Sequence, residues 1–373
     1  MLPAILPYNT YNTAMKAHTN PQSDIFAYGL QSAEGVQSYA DLMNSLKQPD
    51  YRAKQLAKWL WVRDANSYDD MTDLPADLRT RLAQFAPLKR AQVQQVQHST
   101  DGTRKYLLCF ADGTCVETVG LPSQGSSGKR LTVCISSQAG CALGCTFCAT
   151  GQGGLIRNLT PGEIAEQVHI VGSDFNQRVS NVVIMGQGEP FQNYSATIAG
   201  LRILNAAENI GGLGIGARHI TISTSGIITG IKRLATEPEQ FTLAVSLHSA
   251  QQATRDKLMP GLKGQTLDQL ATTLQSYYQQ AKRRPSLEYS LIAGINDDKV
   301  EIAALVQFAR NTGAHINLIP LNESVQSTFQ PANQKATMEI AEVLRSNGIE
   351  VSIRKRRGAD IAAACGQLAQ ERK

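Results

Sequence analysis

The sequence predicts an α/β fold: six βα units, as a partial (βα)6 barrel or an open doubly wound sheet, preceded by a small helical domain and a short antiparallel sheet. Three observations carry that reading. From Leu131 onward, short apolar runs alternate with amphipathic helical patterns through six strand–helix units. Ahead of them, residues 38–85 space apolar side chains three to four apart, the period of a helix. Between the two, residues 92–121 carry two Asp-Gly turns within alternating apolar stretches, a hairpin pattern.

Taken in order, residues 1–35 are polar and aperiodic and read as a loose arm. Residues 36–91 form the helical domain, from "YADLMNSL" through "YRAKQLAKWLWV" to "MTDLPADLRTRL", with Pro75 at the last helix's start. Arg52, Lys54, Lys58 and Arg63 read as its solvated face. Residues 92–130 give the short sheet, ending in "SQGSSGK" as a linker or hairpin tip. The barrel spans 131–356, with strands at "LTVCIS", "NVVIMG", "HITIST", "FTLAVSLH", "LEYSLI" and "HINLIP". Thr160, Pro161 and Glu163 open its first helix with a capping box. A seventh strand, "EVSIRKR", leads into a C-terminal loop over 357–373. Periodicity alone leaves a partial barrel and an open doubly wound sheet both possible. In either, functional groups belong at the C-terminal ends of the strands.

Composition sets limits. The chain is 42% hydrophobic and 18% charged, ordinary for a globular protein. No apolar run reaches the length of a membrane span and no secretory leader is read, so a cytoplasmic protein is expected. A net charge of +5 permits a nucleic-acid partner without requiring one.

The cysteines are more specific. Cys141, Cys145 and Cys148 stand in "CALGCTFC", spaced C-x3-C-x2-C, directly after the first barrel strand. Three thiolates on one short loop suit a soft metal. A closed zinc site needs a fourth ligand, with Cys134 or His169 as candidates. A cubane iron–sulfur cluster instead leaves one iron open to substrate. Other strand ends carry polar groups: Gly188 and Glu189 in "MGQGEP", Ser223 in "STSG", Ser246, Leu247 and His248 in "SLH", and Asn322 in "IPLN". Singly each reads as structural; together, beside the thiols, they outline a site.

The C-x3-C-x-aromatic-C spacing resembles the radical S-adenosylmethionine superfamily. "VCISSQAGCALGCTFCATGQGG", "MGQGEP", "STSG", "AVSLH", "INLIPLN" and "RKRRGADIAAACGQL" together resemble its RlmN/Cfr family of RNA methyltransferases, over roughly residues 38–368. The helical domain and Pro190 resemble the RlmN branch. The resemblance implies methylation of adenine C2 in 23S rRNA and in tRNA, whereas the Cfr branch acts on C8 of the rRNA adenine. It implies a 4Fe–4S cluster on Cys141, Cys145 and Cys148. It also implies two molecules of S-adenosylmethionine per turnover, bound at Gly188, Glu189, Ser223, Ser246, Leu247, His248 and Asn322. Cys365 matches the cysteine that receives a methyl group and carries it to the adenine as a methylene radical. Glu117 matches the base that takes the adenine's proton. Cys134 matches the cysteine that releases the product and ends in a disulfide with Cys365. An electron donor such as flavodoxin or ferredoxin, a monomeric enzyme and no membrane partner complete the expectation.

Without the resemblance, Cys134 reads as core, Cys365 as a free tail thiol and Glu117 as a solvent-facing strand residue. Cys109 and Cys115 match no catalytic position and read as structural. Two departures stand out: Gln187 replaces the family's methionine, and "ESVQSTFQPAN" replaces an expected proline- and glycine-rich loop. Arg354, Lys355, Arg356 and Arg357 are placed to hold phosphates beside Cys365. Lys282, Arg283 and Arg284 read as complements to a helix dipole. The competing readings are a zinc-stabilised RNA-binding protein without catalysis and a radical enzyme acting on a small molecule or protein.

Overall fold

The computed structural model describes residues 24–125, 128–322 and 329–368. Most of the expected arm (1–23), the serine pair of "SQGSSGK", most of the departing loop (323–328) and the last residues lie outside the described residues.

Three helices form the N-terminal domain: α1 (Tyr39–Ser45), α2 (Tyr51–Trp61) and α3 (Ala76–Phe85). Ser38 caps α1 through a reciprocal bond with Asp41. Leu56, Leu60, Trp61, Leu78 and Leu82 turn inward as the helical period requires. Residues 24–35 correct the expectation of a loose arm. Ile25, Phe26 and Tyr28 are buried. The Ile25 amide donates to Pro87 O at 3.1 Å, and the Phe26 ring meets Trp61 edge-on at 5.8 Å. Three apolar residues in a short 3-10 turn are too few to register as a periodic pattern.

The strands are β1 (Gln92–His98), β2 (Arg104–Cys109), β3 (Cys115–Gly125), β4 (Gly128–Cys134), β5 (Gln138–Gly140), β6 (Leu155–Asn158), β7 (Asn181–Ile184), β8 (Ile220–Thr224), β9 (Thr242–Ser246), β10 (Ser286–Leu291), β11 (His315–Pro320) and β12 (Val351–Ile353). The remaining helices are α4 (Ala149–Gln152), α5 (Pro161–Asp174), α6 (Tyr194–Asn205), α7 (Ile228–Leu234), α8 (Gln252–Leu258), α9 (Leu267–Ala281), α10 (Lys299–Thr312) and α11 (Gln334–Ser346).

Ten strands make one sheet in the order β1-β2-β3-β4-β7-β8-β9-β10-β11-β12. Pairing is antiparallel up to β4 and parallel from there on. Spatial order follows chain order throughout, so there is no reversal point of the kind a doubly wound sheet requires. The parallel part is therefore a partial barrel. Thr160 caps α5 in the expected capping box. The antiparallel strands belong to the same sheet, because β3 is long enough to serve two partners. Its Cys115–Gly120 half pairs with β2 and its Val119–Gly125 half with β4. Among the described residues no helix is long and apolar enough to cross a membrane.

Candidate active site

The three clustered cysteines occupy the loop between β5 and β6, a two-stranded ribbon that sequence patterning does not reveal. Gly140 takes a positive φ of 74°, and a Cβ there would sit 2.0 Å from Gly154 O. Only glycine lets the ribbon close so tightly. The Cys141 amide donates to the same carbonyl at 2.9 Å, and Cys148 N donates to Cys145 O at 3.1 Å. All three thiols are free. Burial pushes Cys141 up to about 12 and Cys145 higher still, so a metal must displace their protons to bind. Among the described residues no three His, Cys, Asp or Glu side chains are placed to hold one metal ion. His169 is committed to Asp64 of the helical domain at 2.7 Å. Cys134 packs with Val119, Ala363 and Leu368 in a separate apolar group. Neither joins the three thiols as a fourth ligand, so the donor set fits a cubane with an open iron better than a closed zinc site.

The strand ends converge around this loop. Gly188, at φ 99°, lies so close to Gln138 that a Cβ would stand 2.5 Å from it. Gln138 accepts from Glu189 N at 2.8 Å. The Glu189 carboxylate is buried. It accepts from Phe191 N (2.9 Å), Thr224 Oγ1 (2.7 Å) and Ser225 N (2.7 Å), which ties the end of β7 to the end of β8. Burial raises its pKa, and the amides of Ser225 and Phe191 oppose that rise. Ser223 is half-buried in β8. Ser246 closes β9 and its carbonyl accepts from Arg255 at 3.4 Å. Leu247 is buried, its amide donating to Glu288 O at 3.0 Å. His248 sits at φ 55°. Its Nδ1 accepts from Ser290 N at 3.0 Å, and its ring meets Phe147 edge-on at 4.7 Å. Burial first, then Arg255, lower its pKa to about 3. Several buried polar atoms here lack partners among the described residues, including Ser225 Oγ, Gln187 Oε1 and Asn322 Oδ1. Such atoms suit a polar ligand. Gln187, the departure from the family motif, is itself 1% exposed.

Cys134 and Cys365 line one cavity of about 110 Å3, together with Leu121, Met185, Arg354 and Asn322. A larger cavity of about 380 Å3, between α2 and α6, holds no thiol and none of these groups. Burial pushes Cys134 up to about 12, and Cys365 adds to the rise while Arg354 opposes it. Cys365 is reachable by solvent, yet the walls of its recess also push its thiol up, again opposed by Arg354. Asn322 Nδ2 donates to Cys365 O at 3.1 Å. Beyond it, Ala149 N donates to Gly366 O at 2.9 Å and Thr150 Oγ1 to Leu368 O at 2.6 Å, so the tail docks on α4, directly after Cys148. The other side of the loop is clasped by the β1–β2 turn. Asp360 accepts from Ser99 Oγ at 2.6 Å, and Asp101 pairs with Arg357 at 2.8 Å.

Two readings change here, those of Glu117 and of the basic run. Glu117 is not solvent-facing: it is 7% exposed and pairs with Lys105 at 2.8 Å. The disulfide present joins Cys109 to Cys115, which face each other across the β2–β3 ladder, while Cys134 and Cys365 are free. The basic run is largely committed to protein. Arg354 pairs with Glu288 (3.3 Å), Arg356 donates to Leu321 O (2.8 Å) and Arg357 holds Asp101. Lys355 and Arg356 are the exposed members of the run, and both line the cavity shared by Cys134 and Cys365. Lys105, Gln138, Thr224, Ser225, Asp101 and Arg255 escape sequence reasoning, and only Thr224 and Ser225, inside "STSG", lie in a quoted strand-end motif.

The family model of the radical SAM superfamily matches residues 135–306, and that of the ribosomal RNA large subunit methyltransferase N-terminal domain matches residues 36–88. A probable dual-specificity RNA methyltransferase RlmN from Synechocystis sp. is 43% identical over 333 residues, 89% of this chain and 92% of that protein. One of the same description from Gloeobacter violaceus is 43% identical over 338 residues, 91% and 93% of the two chains. The crystal structure of a radical SAM methyltransferase from Sphaerobacter thermophilus, 38% identical, matches with a TM-score of 0.83 over 93% of this chain and 99% of that one. With this identity over nearly the whole length of its relatives, the chain belongs to the RlmN family of the radical SAM superfamily.

Proposed function

We propose that this protein is a dual-specificity RNA methyltransferase that places a methyl group on C2 of adenine in 23S rRNA and in tRNA, carrying the methyl on Cys365. The observation that supports this most is the cavity shared by Cys134 and Cys365 beside a loop of three free thiols. In this reading Cys141, Cys145 and Cys148 hold a 4Fe–4S cluster. Gly188, Glu189, Ser223, Ser246, Leu247, His248 and Asn322 surround S-adenosylmethionine. When bound, the two supply a methyl group for a thiolate and a carbon radical that takes hydrogen from the resulting S-methyl group.

The chain's own residues do the rest. Cys365 loses its proton to act as nucleophile, and Arg354 favours the thiolate against burial. Asn322 fixes the carrier loop through the Cys365 carbonyl. The methylene carbon bonds to adenine C2, and Glu117 accepts the C2 proton as the adduct's odd electron passes back to the electron carrier, with Lys105 holding the Glu117 carboxylate in place. Cys134, as thiolate, then attacks Cys365 Sγ. The sulfur–sulfur bond forms as the sulfur–carbon bond breaks, and the carbon leaves with the electron pair to be protonated as methyl. An external thiol reduces the disulfide. Cytoplasmic placement, a monomeric state and reduction by flavodoxin or ferredoxin belong to the same reading.

The test uses two variants with RNA under anaerobic turnover. Cys134→Ala accumulates a covalent protein–RNA adduct, and Cys365→Ala makes neither adduct nor methylated RNA. Methylation by Cys365→Ala would overturn the carrier assignment, and digestion of the product RNA separates C2 from C8 methylation.

A further inference from the structure

Arg255 is a buried cation without a counter-ion. It lies on α8, is 3% exposed and has no carboxylate partner among the described residues. One nitrogen donates to Ser225 O at 2.6 Å and more weakly to Ser246 O at 3.4 Å. Its Nε is buried and has no hydrogen-bond partner among the described residues. Gly226 leaves room for it: a Cβ there would stand 3.2 Å from the guanidinium. A buried charge in this state is costly unless something opposes it. The surroundings identify what does. The end of α8 carries the cysteine loop: Leu258 O accepts from Thr146 N at 3.0 Å, and Gly261 N donates to Leu143 O at 3.0 Å. Of the groups that favour the Arg255 charge, Cys145 leads and Asp256 follows. The neighbouring His248 is neutral and offers no negative charge. Asp256 is engaged by Gln252 at 2.7 Å.

We infer that Arg255 is the counter-charge that the fold supplies to an iron–sulfur cluster on Cys141, Cys145 and Cys148, a positioning residue that favours cluster retention and the cluster's reduced state. The inference rests on the cluster reading above. Three thiolates on a cubane give a net negative group, and an added electron makes it more negative. A fixed cation in a low-dielectric site stabilises the reduced form more than the oxidised one.

The full chain, reconstituted anaerobically as wild type, Arg255→Gln and Arg255→Lys, supplies the test. The readouts are iron and sulfide content and the reduced fraction followed by electron paramagnetic resonance across a redox titration, with circular dichroism confirming the fold. At the wild-type midpoint, Arg255→Gln shows a reduced-to-oxidised ratio about tenfold lower, equivalent to about 59 mV for one electron, and holds less iron. Arg255→Lys keeps the charge and stays close to wild type. Arg255→Gln with wild-type poise and iron overturns the inference, as does a folded Arg255→Lys displaced as far as the glutamine variant. Should Arg255→Gln fail to fold, the lysine variant alone decides: wild-type poise supports the counter-charge and a displaced poise overturns it. A wild-type chain that assembles no cubane sinks the cluster reading itself, whereas a wild-type cubane indifferent to Arg255 sinks only this inference.

Discussion

Lys105 Nζ stands 2.8 Å from the Glu117 carboxylate and 3.3 Å from the carbonyl of Ala362. One ammonium thus joins the proposed base on β3 to the loop that carries Cys365. Both partners of the pair are about nine-tenths buried, so removing one strands a charge. Lys105→Met is expected to lower stability by about 3 kcal/mol. The double change Lys105→Met with Glu117→Gln recovers most of it. Urea denaturation of the single and double variants checks this, and a double variant no more stable than the single contradicts it.

The clasp on the carrier loop gives a second expectation. Asp101 accepts from Gly358 N and pairs with Arg357. The bonds from Thr103 and Gly358 hold its carboxyl below the usual range against the effect of burial. Asp101→Ala removes both carboxylate contacts, leaving Arg357 on the Asp101 and Pro122 carbonyls and Asp360 on Ser99. Limited trypsin digestion is expected to cut after Arg357 about tenfold faster, since cleavage tracks the population of the opened loop. Unchanged cleavage would place the clasp's strength elsewhere.

His248 predicts a pH dependence. Its folded pKa of about 3 lies below the ordinary value of 6.5. Between those values the unfolded chain binds a proton that the folded chain refuses, so stability rises with pH across that window. His248 favours folding fully above pH 6.5, and that contribution is lost as pH falls toward 3. The swing is on the order of 5 kcal/mol. His248→Gln is expected to flatten the stability profile over this range, as read by chemical denaturation at stepped pH.

The Cys109–Cys115 disulfide closes a short loop, with a sequence separation of 6. Chain-entropy reasoning gives it about 2 kcal/mol. A Cys109→Ser, Cys115→Ser variant is expected to lose that much, and wild type treated with a thiol reductant to match it. An oxidised wild type no more stable than the double variant would show that the hairpin holds without the bond.

The legible parts of the fold and site were those written locally. Thr160 and Glu163 sit three apart and form their capping box as spacing requires. Cys141, Cys145 and Cys148 announce a metal loop within eight residues. Chain-order pairing of the barrel strands was harder, since periodicity says where strands are and not which neighbour each takes. Cys134 illustrates the limit: inside "LTVCIS" it has the pattern of a core residue, and only resemblance to a family linked it to Cys365. Lys105 was invisible because its meaning depends on the β2–β3 register. Arg255 was invisible because nothing in a helical heptad marks a cation that points inward. The buried Ile25–Tyr28 segment was too short to show a period.

The docking of the tail on Ala149 and Thr150 has a consequence for assembly. The backbone that receives Gly366 and Leu368 is the turn that begins just after Cys148. A chain whose thiol loop is unformed therefore lacks the seat for Gly366 and Leu368. In the proposed reading, where Cys365 carries the methyl group and the three thiols hold the cluster, one stretch of backbone then serves as a checkpoint for both ends of the relay.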